Sequence, residues 1–326
     1  MGGSETYVRG LLGELGDRVT VFENERPGRS DAARLLSMTY GMALGPRLRA
    51  AVDVLHYPLT VPVPRFAGPT VVTLHDLQHV ELPEHFSRAE RAFRRFAYEG
   101  AARRANVVVT PSAHARSMAV ERLGLDGERV VVAPHGVDHA RFHAAESEQE
   151  RFLVYPANMW PHKNHGRLLE ALARASDRSI ELVLTGNDYG RRDELLAHAA
   201  RLGIGERVRH LGFVEHDELP RLLRRARGMV FPSLYEGFGQ PPLEAMACGC
   251  AVASSVGGAL GEVCSGAVLE LDPLDVDSIA AAIDRLASDD ALVALLRAGG
   301  PERARAYTWA RSAELHMHAY ELAGAH

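Results

Sequence analysis

GMVFPSLYEGFGQPPLEAMAC, residues 228–248, opens on four apolar residues, turns through Gly-Phe-Gly and closes on a helix-forming run. A short continuous apolar run bounded by turn residues reads as a strand buried on both faces, as in a parallel sheet covered by helices. Pro241 and Pro242 suit the first turn of a helix, where a missing N–H costs little, so the helix is predicted to begin there. The stretch is therefore a strand-to-helix turn, and Gly237 and Gly239 let its backbone amides approach a ligand closely.

Two carboxylates flank that turn, Glu236 on the loop and Glu244 in the first helical turn. A carboxylate accepts two hydrogen bonds at once, which suits the paired hydroxyls of a ribose or a pyranose. An anion cradle beside hydroxyl acceptors predicts a nucleotide-sugar site. Glu244 taken alone is also what a helix start places against its own dipole. The Glu-x7-Glu spacing around Gly-Phe-Gly is the more specific signal.

Outward from this turn, strand-like and helix-like segments alternate along almost the whole chain. RVTVFEN, VDVLHY, PTVVTLH, ANVVVTPS and RVVVAP occupy the first half, with helices expected at 31–51, 87–104 and 113–123. RFLVYPA, IELVLTG, RVRHLG, GMVFPS, CAVASS and AVLELD occupy the second, with helices at about 164–176, 190–203, 215–227 and 240–248. This pattern predicts an α/β protein of two doubly wound domains, with ligands at the carboxyl ends of the strands. The polar stretch HAAESEQE, residues 143–150, is the natural linker. The expected division is an N-terminal Rossmann-like domain over 1–146, a C-terminal one over 147–305, and a final helix over 306–326.

Composition excludes several classes. The 326 residues are 46% hydrophobic and 24% charged with a net charge of −5, an ordinary globular profile that does not suggest a nucleic-acid binder. No apolar run approaches a membrane span and no signal peptide opens the sequence, so a cytoplasmic place is expected. Three cysteines, Cys248, Cys250 and Cys264, read as reduced, buried thiols rather than a metal site.

Of 37 basic residues one is a lysine, Lys163, in YPANMWPHKNHGRLLEA on the loop entering a helix. A compact ammonium there is a good phosphate partner. Other features have plainer readings. HDLQH (His75, Asp76, His79) lacks a third metal ligand, so no metal is expected. Asp275 and Asp277 precede a helix and read as capping. The helix SRAERAFRRFAYEGAARRA reads as packed, with a solvated basic face, ahead of a surface for peripheral contact with the inner face of a membrane.

The chain resembles the family 4 retaining glycosyltransferases of the GT-B fold over essentially its whole length. The matching motifs, in order, are GGSETYVRGLL at the N-terminus, TLHD at 73–76, APHGVDHARF at 133–142, WPHKN at 160–164, LGFVEHDELPRLLRRA at 211–226 and PSLYEGFGQPPLEAMACGCAV at 232–252. The DP-x-D segment at 272–275 and the aromatic C-terminal helix complete the likeness. The resemblance implies transfer of a hexose, with retention and without a metal or other cofactor, from a nucleoside-diphosphate sugar to an acceptor hydroxyl on a sugar, glycolipid or small molecule.

By the same resemblance Glu244 would bind the ribose, Glu236 with Gly237, Phe238, Gly239 and Gln240 the donor sugar, Lys163 the diphosphate, and backbone near Val214 the base. Gly2 and Gly3 would face the diphosphate or acceptor across the cleft, and His75 would sit beside the sugar. Catalytic roles are thus expected for Glu236, Lys163 and His75. The C-terminal helix would cross back onto the first domain.

Two departures stand out. Asn158 replaces the arginine usual five positions before the lysine, so it would bind donor without charge and leave Lys163 more of the leaving-group stabilisation. Family members also carry a strand before the double glycine, whereas Met1 here abuts Gly2 and Gly3. The expectation is a natural start upstream. Two alternatives remain open at this point: a nucleotide-sugar epimerase of the same fold, or a donor-binding but inactive fragment.

Overall fold

A computed structural model describes residues 3–22, 42, 48, 51–215 and 217–325. It divides into two compact units: the residues up to Gly136 joined by the segment from Trp309 onward, and Val137–Thr308.

In the first unit β1 (Leu55–Tyr57), β2 (Thr70–Thr73), β3 (Val107–Thr110) and β4 (Val130–Val132) form one sheet in that order. All pairings are parallel, with Val72 opposite Val108 and Val109 opposite Val131. β-Branched residues buried on both faces favour this arrangement. The helix Ala113–Leu123 starts on Ser112, whose side chain accepts from Ala115 N, and stops at Gly124 in the left-handed region. The segment 88–104 begins with a Ser87–Glu90 capping box and passes through a π-helical turn at Arg95–Glu99.

The C-terminal helix Trp309–Gly324 completes this unit. Its Ala319 and Ala323 pack against Val71, Val107 and Val109, while Trp309 and Ala313 pack against Tyr7, Leu11 and Leu15 of the helix Gly3–Leu15. Gly10 is required at that crossing, since a Cβ there would sit 2.2 Å from the Trp309 ring.

Among the described residues of the second unit six parallel strands run β10-β9-β8-β5-β6-β7. They are β5 (Glu150–Pro156), β6 (Glu181–Thr185), β7 (Val208–His210), β8 (Ala226–Phe231), β9 (Val252–Ser254) and β10 (Leu269–Glu270). Leu153, Val154, Leu182, Val183, Met229 and Val230 are buried on the sheet, and Leu168, Leu172, Leu243, Met246, Ile279 and Ile283 come from covering helices. The chain winds outward from β5 through β6 and β7, and from β8 through β9 and β10, in opposite directions. The loops after β5 and β8 are therefore neighbours at the point where strand order reverses, where an open α/β sheet leaves room for a ligand.

Two sequence expectations need correction. The division falls after Gly136, not at residue 146. Val137 N donates to Tyr307 O at 3.1 Å and Phe142 is buried in the second unit's core, so the segment from 137 onward packs with that unit. RVTVFEN is not a strand over its described part: Arg18 ends a 3-10 turn and residues 19–22 are irregular, with Val21 and Phe22 exposed. A strand exists only by pairing, and no described strand lies against this run. The helix expected at 31–51 lies outside the described residues except for Met42, Leu48 and Ala51, and Gly2 lies outside them as well. Among the described residues no helix is long and apolar enough to cross a membrane.

Candidate functional site

The site is built on β5 and β8. After β5, Ala157 N donates to Thr185 O, and Met159 N donates to Asn187 O, so the loop continues the sheet's bonding. Pro161 then opens a 3-10 turn, Pro161–Lys163, whose closing bond runs from Lys163 N to Trp160 O. Asn164 follows in the left-handed region, which asparagine tolerates. Its Nδ2 donates to the carbonyls of Pro232 and Pro273 at 3.1 and 2.7 Å, which ties this loop to those after β8 and β10. Leu234 N donates to His162 O at 2.8 Å and adds a second tie.

These ties bring Lys163 and Glu236 together. Lys163 Nζ donates to Glu236 Oε1 at 2.5 Å. The ammonium also stands over the Phe231 ring, 5.4 Å from its centroid, a cation–π arrangement. Beneath them Tyr155 Oη donates to Lys163 O at 2.6 Å. Burial, with the nearby Glu236 charge, holds the Tyr155 hydroxyl well above its ordinary pKa, so it stays a donor. His165 packs on Tyr155 with ring centroids 4.9 Å apart. Burial, with the Lys163 charge, pushes its imidazole down to about 3, so it stays neutral.

The Gly-Phe-Gly turn follows Glu236. Gly239 has φ +115° and precedes the helix Gln240–Ala247. A side chain there would be strained and its Cβ would lie 2.8 Å from Leu260. Pro241 and Pro242 bring no N–H, and Leu243 N closes on Gly239 O at 3.3 Å. The N–H donors at this end are therefore those of Gly237, Phe238, Gly239 and Gln240. Phe238 is buried against Tyr307.

Glu244 is also buried, and Gln240 Nε2 donates to its Oε1 at 3.0 Å. Burial raises its carboxyl to about 7, partly opposed by Gln240 and Arg141, with Asp138 acting in the same direction as burial. Asn158 Oδ1 accepts from Asn187 N at 2.9 Å, so its carbonyl is engaged in holding the β6 loop. Val214 follows Gly212 on the loop after β7, and Gly212 O accepts from Gly186 N at 2.8 Å. The second unit thus gathers Asn158, Lys163, Val214, Glu236 to Gln240 and Glu244 at the C-terminal ends of its strands.

Gly3 and His75 belong to the first unit. Gly3 starts the helix Gly3–Leu15. His75 Nε2 donates to Pro58 O at 2.7 Å, and burial lowers its pKa. His79, its neighbour in HDLQH, instead contacts Glu99 at 3.2 Å. Asp275 caps the helix Val276–Ser288 by accepting from Asp277 N. The three cysteines are unpaired and buried, and burial pushes each thiol up to about 12.

Sequence reasoning missed Tyr155, Phe231 and Asn164 as the support of Lys163. A tyrosine at the buried end of the FLVY run was the available signal, because a buried hydroxyl needs a partner.

Comparison with known proteins identifies the family and the fold. Residues 1–141 match the family described as Glycosyltransferase Family 4, and residues 137–313 match the glycosyl transferases group 1. The chain is 28% identical over 320 residues to the O-antigen chain mannosyltransferase B of Escherichia coli, covering 94% of this chain and 83% of that one. The sucrose-phosphate synthase of Thermosynechococcus elongatus superimposes with a TM-score of 0.78 at 21% identity, over 98% of this chain and 93% of that one. The HepE protein of Anabaena, crystallised with UDP and glucose, superimposes with a TM-score of 0.67 at 23% identity, over 77% and 71% of the two chains. With both of its parts matched to one group of enzymes and its two parallel sheets matched to their fold, the chain belongs to the family 4 glycosyltransferases of the GT-B fold.

Proposed function

We propose that this glycosyltransferase moves a hexose from a nucleoside-diphosphate sugar to an acceptor hydroxyl with retention of anomeric configuration. The observation that carries the reading is the Lys163–Glu236 pair, where a cation suited to a diphosphate touches a carboxylate suited to sugar hydroxyls. The UDP and glucose bound to HepE support the same donor class.

In this reading Lys163 and the amides of the Gly237–Gln240 turn face the diphosphate. As the bond from the anomeric carbon to the diphosphate breaks, negative charge grows on the leaving oxygen, and these preorganised donors meet it without a divalent cation or other cofactor. Asn158 adds no charge. Glu236 takes hydroxyls of the sugar, Glu244 takes the ribose diol, and the backbone near Val214 lines the base. The acceptor hydroxyl attacks from the face the diphosphate leaves. Its carrier is a sugar, glycolipid or small molecule, the second of which would bring the enzyme to the inner membrane face.

Thermal stabilisation by a panel of nucleotide-sugars, followed by assay of hydrolysis and transfer with the best, tests the reading. Stabilisation by one nucleotide-sugar, with turnover that survives EDTA and a product of unchanged anomeric configuration, is expected. A panel in which neither a nucleotide-sugar nor a nucleotide raises the Tm would overturn the donor site.

A further inference from the structure

Lys163 and Glu236 neutralise each other at 2.5 Å, with side chains only 13% and 12% exposed. Neither can be parted from the other without cost, because a poorly hydrated charge left without its partner is expensive. The geometry also limits evasion. Tyr155 holds the Lys163 main chain at 2.6 Å, and the Phe231 ring lies against the ammonium. On the other side Glu236 is held on a loop tied to His162 through Leu234 N. A diphosphate arriving at Lys163 therefore meets an ammonium already occupied and a carboxylate of its own sign.

A nucleotide that carries a sugar resolves this conflict. Its diphosphate takes the ammonium, and its sugar hydroxyls donate to the carboxylate that has been displaced. A nucleoside diphosphate without the sugar brings the first exchange and not the second. Resting on the donor-site reading above, we propose that Glu236 is a specificity-determining residue that makes the site prefer the intact sugar nucleotide over the nucleoside diphosphate product. Once the sugar has been transferred, Glu236 reclaims Lys163 and speeds release of the product.

Calorimetric titration of two matched sets tests this: UDP with UDP-glucose, and GDP with GDP-mannose. The set that binds the wild-type chain is then titrated into Glu236→Gln and into the double variant Lys163→Met with Glu236→Gln. In Glu236→Gln the nucleoside diphosphate should bind about tenfold tighter, because the competing charge is gone, while the sugar nucleotide binds no tighter than before. In the double variant the gain should vanish, since no ammonium remains to be released. Should Glu236→Gln fold poorly by its Tm, Glu236→Asp, whose shorter side chain draws the carboxylate back, should shift the ratio in the same direction. Nucleoside diphosphate affinity that stays level or falls in the folded variants would overturn the inference alone. A wild-type chain that binds neither set would overturn the donor-site reading and the inference with it.

Discussion

Tyr155 Oη reaches the main-chain oxygen of Lys163 at 2.6 Å from a strand position that is itself wholly buried. The bond joins the interior of the second unit's sheet to the only lysine in the chain. Tyr155→Phe keeps the ring against His165 and Phe231 and removes only the hydroxyl. Loss of one such hydrogen bond should cost about 1 kcal/mol of stability. Because the loop is then held less closely, kcat should fall roughly tenfold with a smaller change in donor KM, the pattern of lost transition-state positioning. Equal kcat in the two proteins would show that the hydroxyl supports the fold and nothing more.

Lys163→Ala removes the charge that faces the leaving group in the proposed reaction, and Asn158 cannot replace it. Turnover should drop by about 100-fold or more, the size that follows loss of one preorganised donor to a developing charge. Steady-state kinetics with saturating donor decide the matter. A few-fold loss would move that role to an arginine.

Much of this arrangement was legible in the residues. The valine-rich runs place nine strands of both sheets within a residue or two, because continuous apolar runs between helices admit little but a parallel sheet. Glu236, Glu244, the Gly-Phe-Gly turn and Lys163 were legible for a different reason: acid, glycine and a lone lysine serve the core poorly. What stayed hidden depends on long-range pairing. RVTVFEN has the composition of a strand, but no described strand pairs with its described part, residues 18–22. Phe142 belongs to the second unit because of a core its local sequence does not announce. Phe231 and Glu236 meet Lys163 only because strand order sets β5 beside β8, and pattern reading does not give strand order.

Glu244 links the site to pH. Its carboxyl is raised from 4.5 to about 7, chiefly by burial. A carboxyl raised on folding favours the folded state below its unfolded pKa, and that contribution is lost as pH rises through the interval to the folded value. Between pH 4.5 and 7 the wild-type chain should therefore lose stability from this group, on the order of 3 kcal/mol in all. Glu244→Gln should remove that slope, so the variant gains on wild type at pH 8 and not at pH 4.5. Its donor KM should rise with little change in kcat, since contacts to a ribose are nearly equal in ground and transition states. Urea titrations at the two pH values and donor saturation curves check both halves, and a variant that loses kcat instead would place Glu244 at the reacting sugar.

The first unit should respond to acid in the opposite sense, through a buried chain of polar groups. His316 Nδ1 donates to Ser312 O at 2.7 Å, and burial pushes the imidazole down to about 4, with the backbone acceptor opposing and His75 adding to the shift. A neutral ring whose Nδ1 is the donor accepts at Nε2, so Tyr7 donates there at 2.7 Å. Tyr7 then accepts from Thr73 at 2.8 Å, Thr73 accepts from His56 Nε2 at 2.7 Å, and His56 Nδ1 accepts from Tyr320 at 2.9 Å. The links from Tyr7 to His316 and from Tyr320 to His56 require the two imidazoles to be neutral, and burial lowers that of His56 as well. A histidine lowered on folding contributes stability that is complete above its unfolded pKa and is lost as pH falls toward the folded value. From about pH 6.5 down to 4 the unit should therefore weaken and take up protons on unfolding, with His316 alone accounting for something on the order of 3 kcal/mol. His316→Gln should start less stable at pH 7, because the fit to Tyr7 is lost, and should show the shallower slope over that interval. Parallel slopes for the two proteins in urea titrations from pH 7 to 4 would mean that His316 is not neutral in the fold.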